Sequence, residues 1–249
     1  MGRILPKELE DMTNMEKIIE NIRGELKRNI NEKTKATSQN FFKEKIKFYG
    51  VTIPTVNKIS KQFFKQINFK SKSEIFDLCE NLWQSGYIEE SIIACKWSYY
   101  VHKEYKPGDF QIFKKWINNH VSNWASCDTL CNHTIGEFIE MFPEFLTELK
   151  SFAKSDNRWM RRASAVTLII PARKGKFLSD ILEIADILLL DEDDLVQKGY
   201  GWMLKAASEA NQKEIYEYVI KNKAIMPRTA LRYAIEKMPK DLKSIAMAK

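Results

Sequence analysis

Apolar residues recur in this chain at helical spacing almost from end to end. That recurrence limits the fold more than any single motif does. Ile18, Ile19, Ile22, Leu26 and Ile30 form one stripe, with Thr13 or Asn14 placed to cap it. Thr37 and Ser38 precede a second, through Phe41, Phe42, Ile46, Phe48 and Tyr49, which stops at Gly50 in the position of a C′ glycine. Pro54 suits the first turn of a third, through Val56, Ile59, Phe63, Phe64 and Ile67. Ser73 opens the next, closed by Gly86, and a long stripe follows from Ile88 to Tyr105. Asp109, Ser122, Pro143, Asn157, the acidic run Asp191 to Asp194, and Asn211 then stand at successive starts. Pro227 opens the last, which runs to Met238.

The nine glycines and seven prolines lie mostly between these stripes, and no segment alternates with the period of a strand. The pattern predicts on the order of a dozen helices with short connections. Short connections make neighbouring helices antiparallel, so hairpins stack on hairpins. The expected fold is all-α: a right-handed α-solenoid of stacked antiparallel helix pairs with a concave face. An irregular helical bundle is the plainer alternative. Residues 1–12, with Pro6 and mixed charge, are expected as a loose lead-in, and residues 13–249 as one domain.

Hydrophobic residues make up 44% and charged residues 29%, which excludes an intrinsically disordered chain. Forty Lys and Arg against 33 Asp and Glu leave a net charge of +7, a balance attracted to polyanions. No apolar run reaches the roughly 18 residues of a membrane span. The longest, from Phe177 to Leu190, is interrupted by Asp180, Glu183 and Asp186. With no recognisable targeting signal, the expected compartment is the cytoplasm. Cys79, Cys95, Cys127 and Cys131 fit no disulfide scaffold, and Cys127, Cys131 and His133 lack zinc-site spacing, so reduced buried thiols are expected. Nothing calls for a metal, an organic cofactor or an oligomer.

Chemistry concentrates at Trp124-Ala-Ser-Cys-Asp128, where i and i+4 put an indole and a carboxylate side by side on one helical face. Arg162 follows Asp128 by 34 residues, and Trp202 follows Arg162 by 40. Those gaps are close to the roughly 40 to 47 residues of a HEAT or armadillo repeat, in which equivalent helices of successive repeats line one surface. The expectation is that Trp124, Asp128, Arg162 and Trp202 meet there. Each also has a plainer reading: helical tryptophans are most often core, and Arg158, Arg161 and Arg162 together make an ordinary solvated cluster.

Several segments carry a resemblance in their order and spacing. They are Gly50-Val-Thr-Ile-Pro54 with Lys58-Ile-Ser-Lys61, Leu82-Trp83 with Tyr87-Ile-Glu-Glu90, and Trp124-x-x-x-Asp128. Trp159-Met-Arg-Arg162, Gly201-Trp-Met-Leu-Lys205 and Arg228-Thr-Ala-Leu-Arg-Tyr-Ala-Ile-Glu-Lys237 continue the series. From about Phe41 to Met238 the chain resembles the DNA alkylation repair family of HEAT-like-repeat alkylpurine DNA glycosylases. The resemblance implies that Asp128 is the catalytic carboxylate and that Trp124 and Trp202 flank the lesion-bearing nucleotide. It implies that Arg162 contacts the DNA near the lesion, with Arg161, Arg158, Lys58 and Phe41 as further DNA-binding candidates. Phe41 stands where family members carry a tyrosine, keeping a ring and losing a hydroxyl. The implied activity is monofunctional hydrolysis of the N-glycosidic bond of cationic N3- or N7-alkylated purines, without a base-flipping pocket. The partner would be double-stranded DNA containing alkylated purines, bound by a monomer. A non-catalytic helical-repeat module binding nucleic acid or protein is the alternative, since fold alone does not decide function.

Overall fold

A computed structural model describes residues 7–248, with side chains from residue 14 onward. The chain is all-helical, and its helices pair and stack as in an α-solenoid. Among the described residues the only β pairing is an isolated parallel bridge between Lys47 and Tyr87, and no helix is long and apolar enough to cross a membrane. Two compact units divide at residues 104 and 105.

The first unit holds α1 (Lys7–Arg28), α2 (Glu32–Ser38), α3 (Ile53–Ile67), α4 (Lys72–Gln84) and α5 (Ile88–Tyr100). Residues 1–6 of the expected lead-in lie outside the described residues, and helix α1 already runs from Lys7. The run Lys7-Glu-Leu-Glu, good helix formers after Pro6, extends it past the Thr13 or Asn14 cap read from the sequence. Pro54 sits in the first turn of α3, and Ser71 forms a capping box with Glu74 at the start of α4, two residues ahead of Ser73.

The helix expected from Thr37 to Gly50 is not formed. After a 3-10 turn at Gln39–Phe41 the backbone becomes extended. The cause lies far along the sequence. Buried Glu89 accepts hydrogen bonds from the backbone N–H groups of Tyr49, Gly50 and Val51 at 2.8 to 3.1 Å. Its neighbour Glu90 accepts from the Tyr49 hydroxyl at 2.7 Å and pairs with Arg23 at 3.0 Å. Gly50 has φ +92°, and a Cβ there would stand 2.9 Å from the Lys35 Cα. It serves a close loop crossing, not a helix end.

The second unit holds α6 (Asp109–Asn119), α7 (Trp124–Thr129), α8 (Gly136–Met141), α9 (Leu146–Phe152) and α10 (Arg158–Val166). It continues with α11 (Ile169–Arg173), α12 (Leu178–Ile187), α13 (Asp194–Ala207), α14 (Gln212–Asn222), α15 (Arg228–Ala234) and α16 (Lys240–Met247). The last stripe therefore breaks after Ala234, and a further helix follows Pro239. Phe110, Phe113, Trp116 and Phe138 are fully buried and pack edge to face or tilted at 5.6 to 5.8 Å. On this base α10 packs against α6, α7, α9, α12 and α13, and α13 packs in turn against α11, α14 and α15. The two helices that carry Arg162 and Trp202 are thus at the centre of the unit.

Candidate active site

Helix α7 begins at Trp124 because Asn123, one residue after the expected Ser122, turns its side-chain oxygen onto the Ser126 N–H at 2.9 Å. This cap sets Trp124 at the first helical position and leaves Asp128 one turn later on the same face. Beyond Thr129 the backbone widens into a π-helical turn, Leu130–Ile135. There the Asn132 amide donates to the Asp128 carbonyl at 3.0 Å. Asn157 caps α10 through the Trp159 N–H at 2.9 Å, as its position in the sequence indicates.

From α10, Arg162 reaches across to Asp128. Its Nε and Nη2 donate to the two carboxylate oxygens at 2.9 and 2.8 Å, and its Nη1 donates to the Leu195 carbonyl at the start of α13. Three of the guanidinium donors are thereby used inside the fold. The side chains are 6% and 13% exposed for Arg162 and Asp128, so the pair is largely withdrawn from water. Burial lifts the Asp128 carboxyl above the ordinary aspartate range, against the pull of Arg162. Burial also works against the Arg162 charge, but Asp128 outweighs it and holds the guanidinium above its usual value.

Trp202 comes from the middle of α13. The surrounding Lys198-Gly-Tyr-Gly-Trp202 is explained by contact on two sides. A Cβ at Gly199 would touch the Arg162 Cγ at 3.4 Å. At Gly201 it would stand 2.7 Å from both the Ala230 carbonyl oxygen and the Tyr233 Cβ, so only glycine lets α13 and α15 approach this closely.

Trp124, Asp128, Arg162 and Trp202 line one cleft of about 360 Å³, together with Leu195, Lys198, Lys205 and Tyr233. Lys205 lies 5.5 Å from the Tyr233 ring centre and pairs with Glu236 at 2.9 Å, while Lys198 pairs with Asp194 at 3.2 Å. A second cleft, of about 280 Å³, is also lined by Asp128 and Trp202, together with Asn132, His133 and Arg173. The sequence reading missed Lys198, Lys205 and Tyr233. The lysines carry a usable signal, since i−4 and i+3 from Trp202 share its helical face. Tyr233 lies on another helix and carries none.

The other candidates are placed differently. Arg158 donates to Asp193 at 3.0 Å, and Arg161 donates to Asp191 at 2.6 Å and to the Ser155 and Asp156 carbonyls. These arginines tie the acidic turn before α13 to the start of α10, and a DNA contact by either would have to share these pairs. Asp193 also caps α13 through Leu195 N–H at 2.9 Å. Phe41 and Lys58 belong to the first unit, where Phe41 is 71% exposed and Lys58 is exposed on α3. All four cysteines are free and buried, and burial raises the Cys127 thiol well above its ordinary value, as inert core thiols require.

A family model described as DNA alkylation repair enzyme matches residues 22–238. Among solved structures, a predicted DNA alkylation repair enzyme from Enterococcus faecalis is similar over 85% of this chain and 98% of its own. It shares 19% identity at a TM-score of 0.75, a likeness of fold. No curated protein matches the chain.

Proposed function

Since the chain belongs to the DNA alkylation repair enzyme family, and so to DNA repair with DNA as its substrate, we propose that it is a monofunctional DNA N-glycosylase. It hydrolyses the N-glycosidic bond of cationic N3- or N7-alkylated purines in duplex DNA. The observation that carries this reading is the cleft in which one carboxylate, Asp128, stands among the rings of Trp124, Trp202 and Tyr233.

Alkylation at N3 or N7 gives the purine a formal positive charge, so it departs as a neutral base and a strong general acid is unnecessary. The sugar is what needs help, because it gains oxocarbenium character as the bond breaks. A fixed carboxylate aimed at that charge stabilises it and orients the attacking water. The indoles of Trp124 and Trp202 face the sugar and cationic base, each contributing roughly 0.5 to 2 kcal/mol of cation–π attraction. Arg162 holds the carboxylate at two points, and its DNA contact falls to whichever donors remain. Lys198 and Lys205 also line the cleft, where a contact with a flanking phosphate would have to share their pairs with Asp194 and Glu236. An open cleft lined by helices needs no pocket for an extruded base.

Incubation with duplex containing 7-methylguanine should release free base and leave an abasic site. Asp128→Asn should lower release by at least about 100-fold, the scale seen when a key electrostatic group is lost, with duplex affinity retained. Release at the wild-type rate would sink the assignment. One observation favours a non-catalytic DNA-binding module instead: both Asp128 oxygens already accept from Arg162. That reading expects duplex binding and no free base from either protein.

A further inference from the structure

Every cation that lines the cleft is already paired with a carboxylate: Arg162 with Asp128, Lys198 with Asp194 and Lys205 with Glu236. Two neutral donors of the cleft are not committed in this way. The Trp202 indole N–H and the Tyr233 hydroxyl have no hydrogen-bond partner among the described residues. Trp202 already serves the sugar and base in the proposed mechanism, whereas Tyr233 has no task there beyond its ring.

That ring is held from two sides. The Tyr233 Cβ packs so closely on Gly201 that a Cβ there would stand 2.7 Å away, and the Lys205 ammonium lies 5.5 Å from the ring centre. The side chain is half-buried, with its ring restrained and its hydroxyl unused. A phenol fixed in this way loses little further freedom on meeting an acceptor.

The acid end of the cleft is set against a different stretch of α13. Arg162, which holds Asp128, donates to the Leu195 carbonyl and turns its Cγ toward Gly199. Tyr233 sits against Gly201 and Lys205 instead. The centres of these stretches are about six residues apart, roughly 9 Å along the axis. Around the axis, at about 100° per residue, Trp202 points between them. The indole therefore stands between the carboxylate and the phenol.

We infer that the Tyr233 hydroxyl donates a hydrogen bond to a backbone phosphate beside the lesion nucleotide, which fixes the reacting sugar opposite Asp128. The inference rests on the glycosylase reading above. A strand whose sugar lies against Trp202 and Asp128 carries its next phosphodiester past the indole, toward Tyr233. Tyrosine is among the side chains that set the register of a duplex by donating to phosphate, and a charged acceptor strengthens the bond. The offset from the acid favours this phosphate over the attacking water as the acceptor.

Tyr233→Phe removes the hydroxyl and keeps the ring. The test measures kcat/KM for 7-methylguanine release by the full chain and by this variant, on duplexes in which each phosphate near the lesion is replaced in turn by an uncharged methylphosphonate. On the unmodified backbone Tyr233→Phe should lower kcat/KM about tenfold, the scale of one hydrogen bond to a charged group. Its thermal melting temperature should equal that of the wild type. A methylphosphonate at one position should impose a similar loss on the wild type and little further loss on Tyr233→Phe, because both changes remove the same hydrogen bond. An unchanged kcat/KM in Tyr233→Phe, or losses that add at every position, overturns the inference and leaves the proposed function standing. A lowered melting temperature overturns it too, since it would reveal a partner for the hydroxyl inside the fold. No base release by the wild type overturns the proposed function and this inference with it.

Discussion

Arg162 directs three donors into the protein, two of them onto Asp128, and this pair decides how the site responds to change. A lysine cannot reproduce a two-point grip on a carboxylate. Arg162→Lys should therefore leave Asp128 in place but loosely aimed, with single-turnover excision reduced by about 10- to 100-fold. Arg162→Met strands a buried carboxylate, and chemical denaturation should show a loss of about 3 to 5 kcal/mol. Equal stability of the two variants would mean that the pair is not the restraint its geometry implies. The pH profile follows from the raised Asp128 value. In the proposed mechanism the ionised form is the one that acts, so activity should fall as pH drops through that value. The acid limb should thus lie above the ordinary aspartate range, and a limb at or below it would contradict the burial of this group.

At the scale of helices, the site depends on how closely α13 and α15 approach. A methyl group at Gly201 meets backbone and Cβ atoms of α15 that have little room to move. Gly201→Ala should cost about 1 to 3 kcal/mol in thermal or denaturant unfolding and push Tyr233 away from the cleft. Gly199→Ala meets only ordinary van der Waals contact with Arg162 and should be markedly milder; a larger loss at Gly199 would reverse this account. Helix starts were largely legible one by one. Asn157 and Pro54 act where their chemistry predicts, and Asn123 and Ser71 displace the expected Ser122 and Ser73 by one or two positions because several residues able to cap stand together. The segment after Ser38 was not legible, since the Glu89 carboxylate that holds its end is about 40 residues away.

For the whole molecule, the proposed mechanism implies that a cleft with one acid and several rings selects by the lability of the lesion more than by its shape. Duplex containing 3-methyladenine or 7-methylguanine should lose its modified base, and duplex containing uracil should not, because neutral uracil needs leaving-group assistance that this cleft does not offer. Robust uracil release would contradict the electrostatic mechanism.

By itself the sequence determined that the chain is helical, where most helices begin, and that Trp124 and Asp128 share a face. These are matters of spacing within one segment, governed by the helical period and by local capping. Only the tertiary structure decided that Arg162 grips Asp128, that Arg158 and Arg161 are committed to Asp193 and Asp191, and that Tyr233 lines the cleft. Those contacts join side chains 30 or more residues apart, and a one-dimensional period cannot say which of several neighbouring cations or rings will be the one turned inward.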